Sequence, residues 1–139
     1  MKSSLKTLSR IQKFNIDEQR KLLNEQLSAE EKLVQNLNKL QEQFENEKKF
    51  AAENPNYGDF GAYVKRYMRQ RGELENALQR VREKIETIRD IIADMFKEQK
   101  TYEIVDKNRK ERAAHEEEIK TQKTLDEIGT NNYIKHSNK

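Results

Sequence analysis

Apolar residues recur at steps of three and four along two long stretches, which a short polar stretch separates. In the first stretch most steps are three, four or seven residues, so the side chains share one face of an α-helix. A slip in phase between Leu27 and Leu33 alters the supercoil locally without ending the helix. The pattern predicts helix 1 over about 4–53. Its apolar positions are Leu5, Leu8, Ile11, Ile16, Leu23, Leu27, Leu33, Leu37, Leu40 and Phe44.

The second stretch has a more regular pattern, with steps that alternate between four and three throughout. Only Arg71 and Gln99 interrupt this a/d heptad, which is typical of a coiled coil. Gly129 is a suitable C-cap after the last apolar pair. The pattern predicts helix 2 over about 60–128 and a frayed tail over 129–139. The heptad positions are Phe60, Val64, Tyr67, Arg71, Leu74, Leu78, Val81, Ile85, Ile88, Ile92, Met95, Gln99 and Tyr102.

Residues 54–59 form the one strong break in the helical pattern. Pro55 disfavours helix, Gly58 accepts a positive φ angle, and Asp59 can cap the next helix. A single apolar stripe is unstable alone, and folding back at this turn brings Leu40 opposite Leu74 by symmetry. We therefore expect an all-α fold, one domain over 1–139, in which two long helices form an antiparallel coiled-coil hairpin. A homodimer of extended helices is the competing arrangement.

The seam between the two helices, meaning their facing a/d positions, weakens toward the chain termini. There Ile16 opposes Gln99 and Leu8 opposes Asp106. Because helix 2 is the longer helix, residues beyond about Lys110 lack an intramolecular partner. This end is either a docking element or a fraying helix, and the sequence leaves both open.

Composition limits the possible functions. Hydrophobic residues make up 33% of the chain and charged residues 38%, too little apolar surface for a broad core. The net charge of +3 comes from 28 basic and 25 acidic residues, and their interleaving favours a solvated helix surface over a nucleic-acid interface. The longest apolar run, residues 91–93, is too short to span a membrane, and residues 1–6 lack a secretory signal. We therefore expect a cytoplasmic protein.

The chain lacks the motifs that catalysis or cofactor binding would need. It has no Cys, and its four glycines form no phosphate-binding loop. His115 and Glu118 share a helix face, but two ligands do not make a metal site. Two helices also offer no cleft that would shift a carboxylate pKa. We therefore expect no enzymatic activity, no cofactor and no small-molecule substrate.

Aromatic residues crowd the closed end of the predicted hairpin. Tyr63 and Phe50 fall partly outside the seam, beside arginines, so they are plausible interface anchors. The competing interpretation is an aromatic plug that seals the turn. The cluster comprises Phe44, Phe50, Tyr57, Phe60, Tyr63 and Tyr67.

The first thirteen residues carry four cations and no acid. This makes the open end locally basic, which suits an acidic protein lumen or an anionic surface. Ordinary surface charge explains the same pattern. The four cations are Lys2, Lys6, Arg10 and Lys13.

Three segments resemble the FliJ family of flagellar type III export proteins. They are LKTLSRIQKFNIDEQRK at 5–21, YVKRY at 63–67 before the long heptad helix, and RKER at 109–112 through LDEI at 125–128. The resemblance extends over nearly the whole chain. Coiled coils resemble one another in amino-acid composition, so the three segments have low specificity by themselves. The order of the segments and the length of the chain are the stronger part of the resemblance.

The resemblance implies a coiled-coil stalk similar to the central stalk of rotary ATPases. Such a stalk enters and stimulates the flagellar export ATPase ring without binding nucleotide, faces the cytoplasmic domain of the export gate, and engages export chaperones. It implies a cytoplasmic location, peripheral to the inner membrane at the flagellar base. The candidate partner-binding residues are Phe44, Tyr63 and Tyr67 for the gate, and Arg10, Lys13 and Arg109 for the ring. A generic coiled-coil scaffold or chaperone-like adaptor is the alternative.

Overall fold

The computed structural model describes residues 2–137, and the side chains of residues 4–136. It contains helix α1, Lys2–Glu53, and helix α2, Phe60–Ser137. The described residues form no strand. The predicted fold class is confirmed: the protein is all-α, with two long helices that pack against each other.

The break between the helices lies where the sequence predicts it. The backbone N–H and the side-chain amide of Asn54 both donate to the Phe50 carbonyl, at 2.9 and 3.0 Å. Gly58 has a φ of 73°, which glycine adopts without a Cβ clash. Asp59 Oδ1 accepts the N–H of Ala62 at 3.1 Å, the N-cap bond expected of it. Side chain and backbone together fix the reversal.

The C-terminal end of α2 differs from the prediction. The helix does not stop at 128 but continues through Gly129 to Ser137. Gly129 lacks the positive φ of a C-cap, since Gly58 alone has one among the described residues. The Thr130 hydroxyl instead donates to the Asp126 carbonyl at 2.8 Å, one helical turn back. Residues 138–139 lie outside the described residues.

The chain divides into two compact units. The core unit, Phe14–Phe96, is an antiparallel helical hairpin closed by the turn. Its buried apolar side chains are Ile16, Tyr67, Leu78 and Ile85, which belong to the predicted seam. Arg82 of α2 also pairs with Glu30 of α1 at 3.2 Å. The core unit is thus held by one narrow apolar stripe.

The terminal unit combines residues up to Lys13 with residues from Lys97 onward. Among its described side chains, the two buried ones are both polar, Gln12 and Gln99, each 8% exposed. Gln12 Nε2 donates to Glu98 Oε2 at 3.1 Å across the two helices. Leu8 is 44% exposed, so its own apolar contribution to this part of the seam is small. The sequence placed Ile16 opposite Gln99, but Ile16 is buried in the core unit, and Gln12 was not among the predicted seam positions.

Candidate interaction surfaces

An aromatic stack closes the core unit near the turn. The centroid of the Phe44 ring of α1 lies 4.0 Å from the ring centroid of Tyr67. It lies 6.3 Å from that of Phe60 and 6.4 Å from that of Tyr63. These three partners lie three and four residues apart on α2, so they present one face of that helix. Phe44 therefore inserts as a knob into a hole built from aromatic rings.

The residues predicted to bind the gate differ in exposure. Tyr67 is only 4% exposed, and its hydroxyl donates to Gln41 Oε1 at 2.6 Å. Phe44 and Tyr63 are half-buried. Burial raises the pKa of the Tyr63 phenol, the Glu47 carboxylate raises it further, and Arg66 opposes them. Tyr67 is therefore buried, as its heptad position predicted, and a role of these three residues in binding the gate stays a prediction.

A second aromatic pair, Phe50 and Tyr57, is exposed at the turn. Their rings meet edge to face at 5.3 Å, and Tyr57 is 74% exposed. Tyr57 and the stack residue Phe60 both line a groove of about 400 Å³ between the end of α1 and the turn. We call it the turn groove; its lining residues are Lys48, Ala51, Ala52, Asn54, Pro55, Tyr57, Gly58 and Phe60.

Sequence reasoning named Phe50 as a plausible interface anchor and placed Tyr57 in the aromatic cluster without selecting it. A usable signal was present. Phe50 falls off the seam positions, and Tyr57 lies in the Pro-Gly turn, where no facing helix can cover it. A large apolar side chain that the seam cannot absorb is the better candidate for an interface.

The basic residues predicted to face the ATPase ring are exposed. Arg10 and Lys13 lie on α1 of the terminal unit, and Arg109 lies on α2 of the same unit. Within the described side chains, none of the three forms a salt bridge. Each of these charges is therefore available to a partner.

The last part of α2 is exposed along its length. Every side chain from 107 to 136 is exposed, although the backbone is helical throughout. Contacts within the helix support it, such as the 3.1 Å bond from Lys110 to Asp106 and the 3.2 Å bond from Gln122 to Asp126. Five large apolar side chains remain exposed here: Ile119, Leu125, Ile128, Tyr133 and Ile134. We call residues 107–136 the exposed segment.

Metal sites and membrane spans are not found among the described residues. No group of three or more His, Cys, Asp or Glu side chains comes close enough to hold a metal ion. Neither described helix has a stretch that is long and apolar enough to cross a membrane.

Comparisons with protein-family models, with curated proteins and with solved structures found no match to this chain.

Proposed function

We propose that this chain is a non-catalytic component of the flagellar type III protein export apparatus. It acts as a coiled-coil stalk that binds and stimulates the export ATPase ring and links that ring to the export gate and to export chaperones. The cytoplasm, at the flagellar base, is the place of action. The order of the three sequence segments that resemble the FliJ family is the starting point for this proposal.

The observation that supports this proposal most strongly is the exposed segment. Helix α2 has 78 residues and α1 has 52, and the side chains of residues 107–136 of α2 are exposed. A helix with five exposed large apolar side chains gains stability when another protein covers them. A ring lumen that receives the end of a stalk offers such a cover.

Exposed positive charges also support insertion of the terminal unit into the ring. The side chains of Arg10, Lys13 and Arg109 are exposed cations in the terminal unit. Cations of this kind attract an acidic lining during association and are screened by salt. Binding to the ring would therefore weaken as ionic strength rises.

A reconstituted assay tests the proposal. The ATPase activity and the ring assembly of a purified flagellar export ATPase are measured with and without the full chain. We expect stimulation of both, and a loss of stimulation of at least about fivefold for Arg10→Glu combined with Arg109→Glu, since each reversal turns an attraction into a repulsion. Lys32→Glu, an exposed charge reversal in the core unit, is the matched control and should keep full stimulation.

The generic scaffold or adaptor is the second function to be separated. If the wild-type chain neither binds nor stimulates the ATPase, the export proposal is wrong. Capture of a different set of proteins from flagellated cells, with no component of the export apparatus among them, would then favour the scaffold.

A further inference from the structure

The side chains that face each other in the terminal unit are mostly polar. On each helix they recur at steps of three and four residues, so each set lies on one helix face. Only Leu5 and the ring of Tyr102 add apolar surface, and no apolar side chain described in this unit is buried. Polar residues at seam positions lower the stability of a coiled coil. The facing residues are Leu5, Ser9 and Gln12 of α1 and Gln99, Tyr102 and Asp106 of α2.

The same part of the seam is incompletely packed. A cleft of about 100 Å³ lies between the two helices of the terminal unit. Side chains that line a void lose the dispersion contacts that a packed neighbour would supply. The cleft therefore weakens the hold of α1 on α2 here. Its lining residues are Leu5, Lys6, Ser9, Tyr102, Glu103 and Asp106.

No ion pair compensates for this weak packing. Among the described side chains, none joins α1 to α2 by a salt bridge within the terminal unit, and Asp106 pairs with Lys110 of its own helix at 3.1 Å. In the core unit, by contrast, Arg82 of α2 pairs with Glu30 of α1 at 3.2 Å. Charge thus adds a link between the helices in the core unit only.

Separating the helices of the terminal unit would expose little further apolar surface. Leu8 and Ile11 are already 44% and 51% exposed while the helices are paired. In the core unit, Leu78 and Ile85 are only 8% and 3% exposed, so opening there would transfer buried apolar surface to water. The free energy of opening is therefore lower in the terminal unit.

We propose that residues 4–13 form a releasable strap on α2. The strap separates from α2 as one segment while the helices of the core unit remain paired. Its release uncovers the face of α2 that carries Gln99, Tyr102 and Asp106. The strap is a conformational device that controls access to this face.

The length of the strap explains why it is released as one segment. A helix of ten residues is unstable in water without a packed face, because nucleation is costly and few backbone hydrogen bonds offset it. Once the strap leaves α2, its helical turns are lost together. Fraying, in contrast, removes one turn at a time from the chain end.

This proposal goes beyond the export function and does not depend on it. The opening of the strap is measured on the isolated chain, without an ATPase or any other protein. A chain that fails to stimulate an export ATPase can still release its strap, so the two failures are distinguishable.

Thiol labelling of the full-length chain tests the release. The sequence has no Cys, so each single-Cys variant carries one reactive group. Gln99→Cys and Leu78→Cys form a matched pair, since both native side chains are 8% exposed. We expect Gln99→Cys to react with N-ethylmaleimide at least about a hundredfold faster than Leu78→Cys, because a buried thiol reacts only from an opened state. Equal labelling rates would overturn the proposal.

Filling the cleft should hold the strap in place. Ser9→Leu puts an apolar side chain at a half-buried position that lines the cleft, and it should slow labelling of Gln99→Cys at least about tenfold. Lys100→Leu, an equally apolar substitution at an exposed position of the same unit, is the control and should leave the rate unchanged. Circular dichroism checks that the helices are intact in each variant. Equal labelling with and without Ser9→Leu would contradict the role of the cleft.

Amide hydrogen exchange of the wild-type chain tests the release without altering the seam. We expect the amides of residues 7–13 to exchange with one common opening constant, at least about a hundredfold larger than that for the amides around Leu27. Opening constants that fall steadily from residue 7 to residue 13 would show fraying instead of release. Opening constants equal to those around Leu27 would show that the strap stays bound. Either result would overturn the proposal.

Discussion

Tyr67 stacks on Phe44 with ring centroids 4.0 Å apart and planes inclined by 12°. Its hydroxyl also donates to Gln41, which lies three residues before Phe44 on α1, at 2.6 Å. A single side chain of α2 therefore contacts two positions on one face of α1. Sliding one helix along the other would break both contacts, so this pair fixes the register of the core unit.

Replacing Tyr67 should separate the two contributions. Tyr67→Ala removes a buried ring, and we expect it to lower the free energy of unfolding by about 3 kcal/mol or more. Tyr67→Phe keeps the ring but loses the bond to Gln41, which costs about 1 kcal/mol. Thermal and urea unfolding followed by circular dichroism measure both. Tyr133→Ala, at a tyrosine that is 75% exposed, is the control and should change little.

Two glycines should respond in opposite directions to the same substitution. Gly58 has a φ of 73°, and Gly58→Ala should destabilise the hairpin by about 1 kcal/mol because an alanine Cβ strains that conformation. Gly72 lies within α2, and a Cβ added there would meet nothing within 4 Å. Gly72→Ala should stabilise by about 0.5–1 kcal/mol. Equal shifts in unfolding midpoint for the two variants would contradict this account of the turn.

The buried glutamines of the terminal unit should limit its stability. Gln99→Leu places an apolar side chain at a heptad position that is 8% exposed, and we expect a gain of about 1 kcal/mol. Amide hydrogen exchange over residues 97–106 should slow about fivefold as a result. Gln122→Leu, at an exposed position of the same unit, should have no such effect. Faster exchange in Gln99→Leu would show that the amide stabilises this layer.

Hydrogen exchange should also distinguish the exposed segment. Its helix has no packed face, so its amides open locally at little cost in free energy. In the isolated chain we expect amides of residues 107–136 to exchange at least about a hundredfold faster than those around Ile85. Protection that increases with protein concentration would indicate that a second copy covers the segment. Protection on addition of a partner would map the docking face directly.

The heptad positions of the second stretch predicted α2 and its inward face correctly. Tyr67, Leu78 and Ile85 are buried as the pattern required, and the turn at 54–59 lies where Pro55 and Gly58 placed it. Arg71, which interrupts the heptad, is exposed and pairs with Glu75 at 2.8 Å. Local periodicity is enough for these results, because helix phase depends on neighbours three and four residues away.

Sequence reasoning was less successful where the outcome depended on contacts distant in the chain. Symmetry about the turn would place Gln70 opposite Phe44, but the structure places Tyr67 there. For the aromatic side chains the seam positions were a sufficient guide, since Phe44 and Tyr67 occupy such positions and Phe50 does not. Phe44 and Tyr67 became core, and Phe50 and Tyr57 became surface.

The sequence by itself determined two helices, the turn between them, and which aromatic residues take seam positions. These features arise from residue spacing and from backbone preferences of Pro, Gly and Asp, which act over a few residues. The tertiary structure alone decided the register, the burial of Gln12 beside Gln99 in the terminal unit, and the turn groove. Those depend on which side chains of α1 and α2 meet, and such contacts are set by packing across the hairpin.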